Sequence, residues 1–168
     1  MRHVGIVYGS STGNTRDVSE MLKRTFGAEQ ADLLNVAEID PHTLEEYDNL
    51  VFAVSTWGKG DLQDDWEEFF PQLDEVDLSR IRVAVMALGD QRNYPTKFAD
   101  AMAILVDKAE ERGAWVVGAT STEGYTFDAS AAVRNGAFLG LVIDEDTQSN
   151  LTEPRIRDWV EQLKREFV

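Results

Sequence analysis

The amino-acid sequence predicts an α/β fold: a doubly wound, five-stranded parallel sheet in the order 2-1-3-4-5, with helices on both faces. One observation carries this prediction. Short apolar runs, typical of strands buried on both faces, alternate with stretches whose apolar residues recur at helical spacing. Such an alternation produces parallel strands that are joined by right-handed crossovers. Ligands of this architecture bind beyond the carboxyl ends of the strands, so the loops there are the candidate sites.

Five apolar segments are predicted as strands, each short and bounded by polar or glycine-containing loops. The fifth is expected in two halves, because residues 119–137 interrupt it and are predicted to form an inserted surface loop. In chain order the predicted strands are 4–8, 33–36, 50–54, 81–88, and 115–117 with 138–143.

Helical spacing predicts the connections between these strands. Gly27 and Gly113 are expected to end the first and third long helices, and Pro41 begins a short helix or turn. Thr152 is the predicted N-cap of the last helix, with Pro154 in its first turn. The apolar residues that define the helices are Val18, Met21, Leu22 and Phe26; Leu44 and Tyr47; Trp66, Phe69 and Phe70; Phe98, Ala101, Met102, Leu105 and Ala109; and Ile156, Trp159, Val160, Leu163 and Phe167.

Composition restricts the function classes. The 168 residues fit one domain, expected over 1–168, and the net charge of −15 argues against nucleic-acid or anionic-membrane partners. The sequence has no Cys and two His, which excludes thiolate catalysis, iron–sulfur ligation and a His-rich metal site. Without a signal segment or an apolar run of about 18 residues, a soluble cytoplasmic protein with no membrane insertion is expected.

The loop Gly9-Ser10-Ser11-Thr12-Gly13-Asn14-Thr15 stands between the first strand and the first helix. It offers four hydroxyls and several N–H groups at a helix N-terminus, which can hold a phosphate. It contains no lysine and matches neither the Walker A nor the dinucleotide-binding glycine pattern. A phosphate that is to be transferred usually needs a cation, so this loop is predicted to anchor an unreacted terminal phosphate. A capping turn is the alternative interpretation.

Two aromatic residues, Trp57 and Tyr94, occupy polar loops that follow adjacent central strands. If they face each other, they can stack on both sides of a flat heterocycle. Each stacked face contributes about 0.5–1.5 kcal/mol beyond the stabilisation from buried area. The alternative for Trp57 is packing onto the domain. Together with the first loop, these residues predict a ligand that has a phosphate at one end and a planar ring system at the other.

Along essentially its whole length the sequence resembles flavodoxins of the long-chain type, whose hallmark is an insertion such as 119–137. The resemblance implies a flavodoxin-like fold and a low-potential one-electron carrier with non-covalently bound FMN, rather than an enzyme. The matching motifs are Ser10-Ser11-Thr12-Gly13-Asn14-Thr15, Thr56-Trp57-Gly58-Lys59-Gly60, Leu88-Gly89-Asp90-Gln91 with Tyr94-Pro95, Ser121-Thr122-Glu123-Gly124-Tyr125, Ala137-Phe138-Leu139-Gly140-Leu141 and Asp144-Glu145-Asp146-Thr147-Gln148-Ser149.

By this resemblance the first loop holds the FMN phosphate, Trp57 and Tyr94 cover the isoalloxazine faces, and Asp146 contacts the ribityl group. Asn93 departs from the family pattern, in which glycine is common, but asparagine tolerates left-handed backbone. The expected cofactor-binding residues are Ser10, Ser11, Thr12, Gly13, Asn14, Thr15, Ser55, Thr56, Trp57, Gly58, Leu88, Gly89, Asp90, Tyr94 and Asp146.

Residues 60–80 contain eight acids and one base. One interpretation is that these acids form a solvated helix face. The other is that they surround the exposed flavin edge and attract basic redox proteins to it. The carrier is expected to be a monomer. Proteins similar to this one receive electrons from a ferredoxin–NADP reductase or photosystem I and pass them to nitrogenase reductase or biosynthetic enzymes.

Two other classes share this architecture. An FMN-dependent quinone reductase needs an open substrate pocket over the ring, which Trp57 and Tyr94 are expected to close. A phosphoacceptor receiver domain needs an aspartate at the end of the third strand, where Ser55 and Thr56 stand.

Overall fold

A computed structural model describes residues 3–57 and 60–168, and Trp57 is described in its backbone only. The chain forms ten strands and four α-helices within these ranges. The strands are β1 Val4–Tyr8, β2 Ala31–Asn35, β3 Asn49–Trp57, β4 Asp61–Leu62, β5 Arg82–Leu88, β6 Trp115–Val116, β7 Thr120–Ser121, β8 Val133–Arg134, β9 Ala137–Phe138 and β10 Leu141–Ile143. The helices are α1 Asn14–Phe26, α2 Asp64–Phe69, α3 Ala101–Glu111 and α4 Ser149–Glu166, with 3₁₀ turns at Pro41–Glu46 and Phe70–Glu75.

The predicted parallel sheet is confirmed. Its strands run in the order β2-β1-β3-β5-β10, with every neighbour parallel, which is the predicted order 2-1-3-4-5. The predicted two halves of the fifth strand are β6 and β10, which both pair with β5. β6 lies beside the beginning of β5, at Arg82 and Val83, and β10 lies beside the end of β5, at Met86 to Leu88.

Two hydrophobic clusters cover the two faces of the sheet, because the strand side chains alternate between the faces. One cluster joins Ile6 and its neighbours to α1 and α4, including Leu22 and Trp159. The other joins strand residues such as Phe52 to α2, α3 and the insertion, including Trp66 and Phe138. The helices therefore lie on both faces, as predicted.

The insertion differs from its prediction as a surface loop. Residues 120–138 contain an antiparallel sheet of three strands in the order β7-β9-β8, so the predicted continuous strand 138–143 is divided between this small sheet and β10. Gly140 lies at the division. A Cβ atom there would stand 1.9 Å from the Val85 carbonyl oxygen, so only glycine lets the chain cross so close to β5.

The start of α4 was also predicted wrongly. The helix begins at Ser149, so Thr152 and Pro154 lie inside it, and Thr152 Oγ1 donates instead to Glu145 Oε2 at 2.7 Å. The first turn of α4 is mainly polar. The helical spacing of apolar residues therefore becomes recognisable in the sequence only about one turn after the helix begins. Among the described residues, no helix has the length and apolar character needed to cross a membrane.

Candidate functional site

A cleft of about 300 Å³ opens at the carboxyl ends of the central strands, where the architecture predicts a ligand. The loops after β1, β3, β5 and β10 form its walls. Ten predicted site residues line it, and Asn93 and Glu145 line it in addition. The predicted lining residues are Thr12, Asn14, Thr15, Ser55, Thr56, Leu88, Gly89, Asp90, Tyr94 and Asp146.

Five predicted residues are not described as part of this lining. Ser10, Ser11 and Gly13 belong to the first loop, and the bonds below show that they shape it. Gly58 lies outside the described residues, as does the side chain of Trp57, so the expected second aromatic face stays a prediction.

The first loop presents N–H groups at the beginning of α1. Gly13 adopts a left-handed φ of 94°, and its N–H donates to Ser10 Oγ at 2.9 Å. The N–H groups of Asn14, Thr15 and Arg16 open the helix, so they have no acceptor within it. The positive end of the helix dipole adds to these donors, and the loop is therefore able to hold an anion.

A positive side chain does lie in the first turn of α1, but it is turned to another partner. Arg16 Nε pairs with Glu20 Oε1 at 3.3 Å on an exposed face of the helix. Its charge is thus balanced within α1. Any anion in the first loop would be held mainly by N–H and O–H donors, as the sequence predicts.

Gln63 supports the first loop from behind, and the sequence analysis did not identify it. Its side chain is fully buried, Nε2 donates to Ser11 Oγ at 2.9 Å, and Oε1 accepts from the Trp66 N–H at 3.3 Å. A Cβ atom on Gly9 would come within 2.3 Å of Gln63 Oε1, so any other residue there would displace the Gln63 side chain from this position. The short polar motif around Gln63 gave no signal of this role.

The turn that carries Tyr94 holds itself together. Asp90 Oδ1 accepts from the N–H groups of Arg92 and Asn93 at 3.1 and 3.0 Å, and Oδ2 accepts from Asn93 Nδ2 at 2.7 Å. The Tyr94 N–H donates to the Asp90 carbonyl at 3.0 Å. Tyr94 is 49% exposed at the edge of the cleft, so a large aromatic face is available to a ligand.

Asp144 connects the loop after β10 to this turn. Its buried carboxylate accepts from the N–H groups of Gln91, Asp146 and Thr147, and from the Gln91 amide and Thr147 hydroxyl, at 2.6–3.1 Å. Burial alone would raise the pKa of Asp144, but these donors stabilise the carboxylate and hold its pKa below the ordinary value.

Carboxylates also line the cleft. Desolvation raises the pKa of Asp146, and the carboxylates of Asp90, Asp144 and Glu145 raise it further. The cleft thus has neutral donors at its first loop, an aromatic ring on the Tyr94 turn, and carboxylates on that turn and on the loop after β10. This arrangement suits a ligand with a terminal anion, hydroxyl groups and a flat ring system.

Comparison with known proteins agrees with this geometry. A family model described as flavodoxin matches residues 6–159. The chain is 43% identical to a flavodoxin of Nostoc sp. over 166 residues, which is 99% of this chain and 98% of that relative. It is 41% identical to flavodoxin 1 of Escherichia coli over 168 residues, which is 99% of this chain and 96% of that relative.

A solved structure gives the same result. The crystal structure of Fusobacterium nucleatum flavodoxin bound to flavin mononucleotide superposes with a TM-score of 0.92 over 100% of both chains, at 30% sequence identity. The resemblance noted in the sequence is therefore confirmed at the level of the family.

Proposed function

The chain belongs to the flavodoxin family, and on that premise we propose that it binds FMN non-covalently in the cleft and carries single electrons between redox enzymes. One observation carries the proposal: the donor-rich first loop and the exposed ring of Tyr94 lie in the same cleft. Flavodoxins are electron-transfer proteins rather than enzymes. FMN supplies the electron chemistry when bound, and the protein binds it and adjusts its potential.

The residues present fit this cofactor. We assign the phosphate to the first loop, where Thr12, Asn14 and Thr15 line the cleft and the N–H groups of α1 begin. We assign one face of the FMN ring system to Tyr94. We assign the polar chain of FMN to the wall that carries Asp146. We place the protein in the long-chain type, because an insertion separates β6 from β10.

We further propose that the carrier works at low potential. Reduction of a flavin by two electrons adds negative charge, and the cleft already contains Asp90, Glu145 and Asp146. Like charges and restricted solvation disfavour the added charge, so transfer of the second electron requires a strong reductant. Potentiometry of the FMN complex tests this step. A second couple equal to that of free FMN would contradict it.

The partners we propose are basic proteins that dock at the acidic surface beside the cleft. Asp61, Asp64, Glu67 and Glu68 are exposed on and before α2, while Trp66 anchors the buried side of this helix. Asp74 contributes less, because Lys108 Nζ pairs with it at 2.6 Å. A ferredoxin–NADP reductase or photosystem I as donor, and nitrogenase reductase or biosynthetic enzymes as acceptor, fit this charge. Reduction rates that do not fall with added salt would contradict the docking surface.

One preparation tests the main proposal. We expect purified protein to be yellow, to contain one FMN for each chain, and to accept electrons in two separate steps. We also expect no oxidation of NADH without a partner, which distinguishes a carrier from a quinone reductase. Colourless protein that takes up no added FMN would overturn the proposal.

A further inference from the structure

The insertion holds the segment that carries Tyr94 from behind. Before Tyr94, the Thr126 N–H donates to Gln91 Oε1 at 2.6 Å. After Tyr94, the N–H groups of residues 128–129 donate to the Pro95 carbonyl at 2.7 and 2.9 Å. The two attachments flank Tyr94 along the chain, so the insertion fixes the segment on which its ring is carried.

Gln91 is the residue at which three segments meet. It is 8% exposed and does not line the cleft. Its Nε2 donates to Asp144 Oδ2 at 2.7 Å and to Thr147 Oγ1 at 3.1 Å, and its Oε1 accepts from Thr126. Both polar atoms of the side chain are therefore used, and they join the Tyr94 turn to the loop after β10 and to the insertion.

The insertion is itself firmly attached on its other side. The ring of Phe127 lies 5.2 Å from that of Phe98 and 5.6 Å from that of Phe138. The Ala131 N–H donates to Asp100 Oδ1 at 2.7 Å, immediately before α3. Gln91 is thus held against a packed support rather than a free loop.

We propose that Gln91 is a positioning residue for the cleft, through which the insertion keeps the Asp90–Tyr94 turn in its ligand-binding geometry before FMN arrives. The inference rests on the proposed function. A turn that is ordered in advance loses less conformational freedom on binding, so FMN binds more tightly. Because the coupling is reciprocal, bound FMN stabilises residues 126–129 of the insertion in return, although they do not line the cleft.

Amide hydrogen exchange on the unaltered protein, with and without FMN, measures this coupling directly. We expect FMN to slow exchange about tenfold at residues 126–129 as well as at 89–94. The small sheet at residues 133–138 serves as the internal control, and its exchange is expected to change less than about twofold. Slowed exchange at 89–94 with no change at 126–129 would overturn the inference.

A pair of variants measures the contribution to affinity. Gln91→Leu keeps the size of the side chain and removes all its hydrogen bonds, so we expect the Kd for FMN to rise about tenfold. The matched control is Gln162→Leu, which cuts the Nε2 bond to the Ala119 carbonyl, 2.8 Å long, where α4 holds the insertion. We expect its Kd to stay within about twofold.

Affinity for riboflavin is expected to fall by the same factor in Gln91→Leu, since the turn positions a ring and not a phosphate. Equal affinity of Gln91→Leu and the unaltered protein overturns the positioning role while FMN binding stands. Failure of the unaltered protein to bind FMN overturns the proposed function itself. If Gln91→Leu does not fold, the exchange experiment decides alone.

Discussion

The first loop and the Asp90–Tyr94 turn face the same cleft, yet they are built in opposite ways. In the first loop, Ser10 satisfies the Gly13 N–H, and no hydrogen bond within the described residues reaches the side chains of Thr12, Asn14 or Thr15. In the turn, the Asp90 carboxylate accepts from three groups of the turn itself, the backbone N–H groups of Arg92 and Asn93 and the Asn93 amide.

This contrast assigns a different task to each region. Open donors can satisfy a charged ligand group, so the first loop is expected to recognise the phosphate. A turn whose donors are already used offers mainly shape and an aromatic face, so it is expected to recognise the ring. Variants of the two regions should therefore separate FMN from riboflavin, which lacks the phosphate.

The largest effect is expected from a negative charge in the first loop. In Thr12→Asp the carboxylate competes with the phosphate for the same N–H groups. It also repels the phosphate, and the repulsion between two unit charges 4 Å apart near a protein surface is about 4 kcal/mol. We expect the Kd for FMN to rise at least about a hundredfold and that for riboflavin to change little. Fluorescence quenching measures both constants.

The control for this variant is Thr43→Asp, which adds the same charge in the 3₁₀ turn between β2 and β3. It should leave both Kd values within about twofold. An equal loss of FMN affinity in the two variants would show that net charge, rather than the first loop, repels the cofactor.

The next effect is a loss of folding stability when Asp144, which supports the Asp90–Tyr94 turn, is replaced. Asp144→Asn replaces a buried carboxylate that accepts several hydrogen bonds, and we expect it to lower the free energy of unfolding by about 2 kcal/mol at pH 7. Because the pKa of Asp144 is lowered by folding, its stabilisation is complete above the unfolded pKa and is lost as the pH falls through the folded pKa. Urea unfolding should therefore show the two proteins converging below about pH 4. A difference that is constant with pH would contradict the carboxylate's role.

Tyr94→Ala removes the aromatic face and should weaken FMN and riboflavin alike, by about tenfold, because stacking and area are lost but the phosphate contacts remain. Tyr94→Phe keeps the ring and is expected to bind both flavins nearly as well as the unaltered protein. A loss confined to FMN would show that the turn also recognises the phosphate and would remove the contrast between the regions.

The smallest effect is expected at Asp146 in the protein without cofactor. Folding raises the pKa of this carboxyl, so its charged form destabilises the fold above the folded pKa, and the cost disappears below the unfolded pKa. Asp146→Asn should therefore stabilise the apoprotein by about 0.3 kcal/mol at pH 7, a modest figure because the group is exposed. Thermal unfolding at pH 7 checks that the variant is the more stable protein, and thermal unfolding near pH 3 checks that this difference disappears. A lower Tm at pH 7 would contradict the repulsion.

The sequence was sufficient for the sheet order and for the position of the cleft, because buried strands and glycine-containing loops leave strong local patterns. It did not reveal Gln63 or the connecting role of Gln91. Their partners Ser11 and Asp144 lie 52 and 53 residues away, and a polar residue whose bonds are so distant has no local signature. The three strands of the insertion were missed for a related reason, since strands of two residues are too short to show alternation.

We propose that one cleft recognises a phosphate with its first loop and a flat ring with its Tyr94 turn. Parallel titration of the apoprotein with FMN and with riboflavin tests this most directly. We predict that both bind with one molecule for each chain, that FMN binds about a hundredfold more tightly, and that inorganic phosphate competes with FMN alone. Equal affinities for the two flavins, with no effect of phosphate, would show that the first loop does not recognise the phosphate.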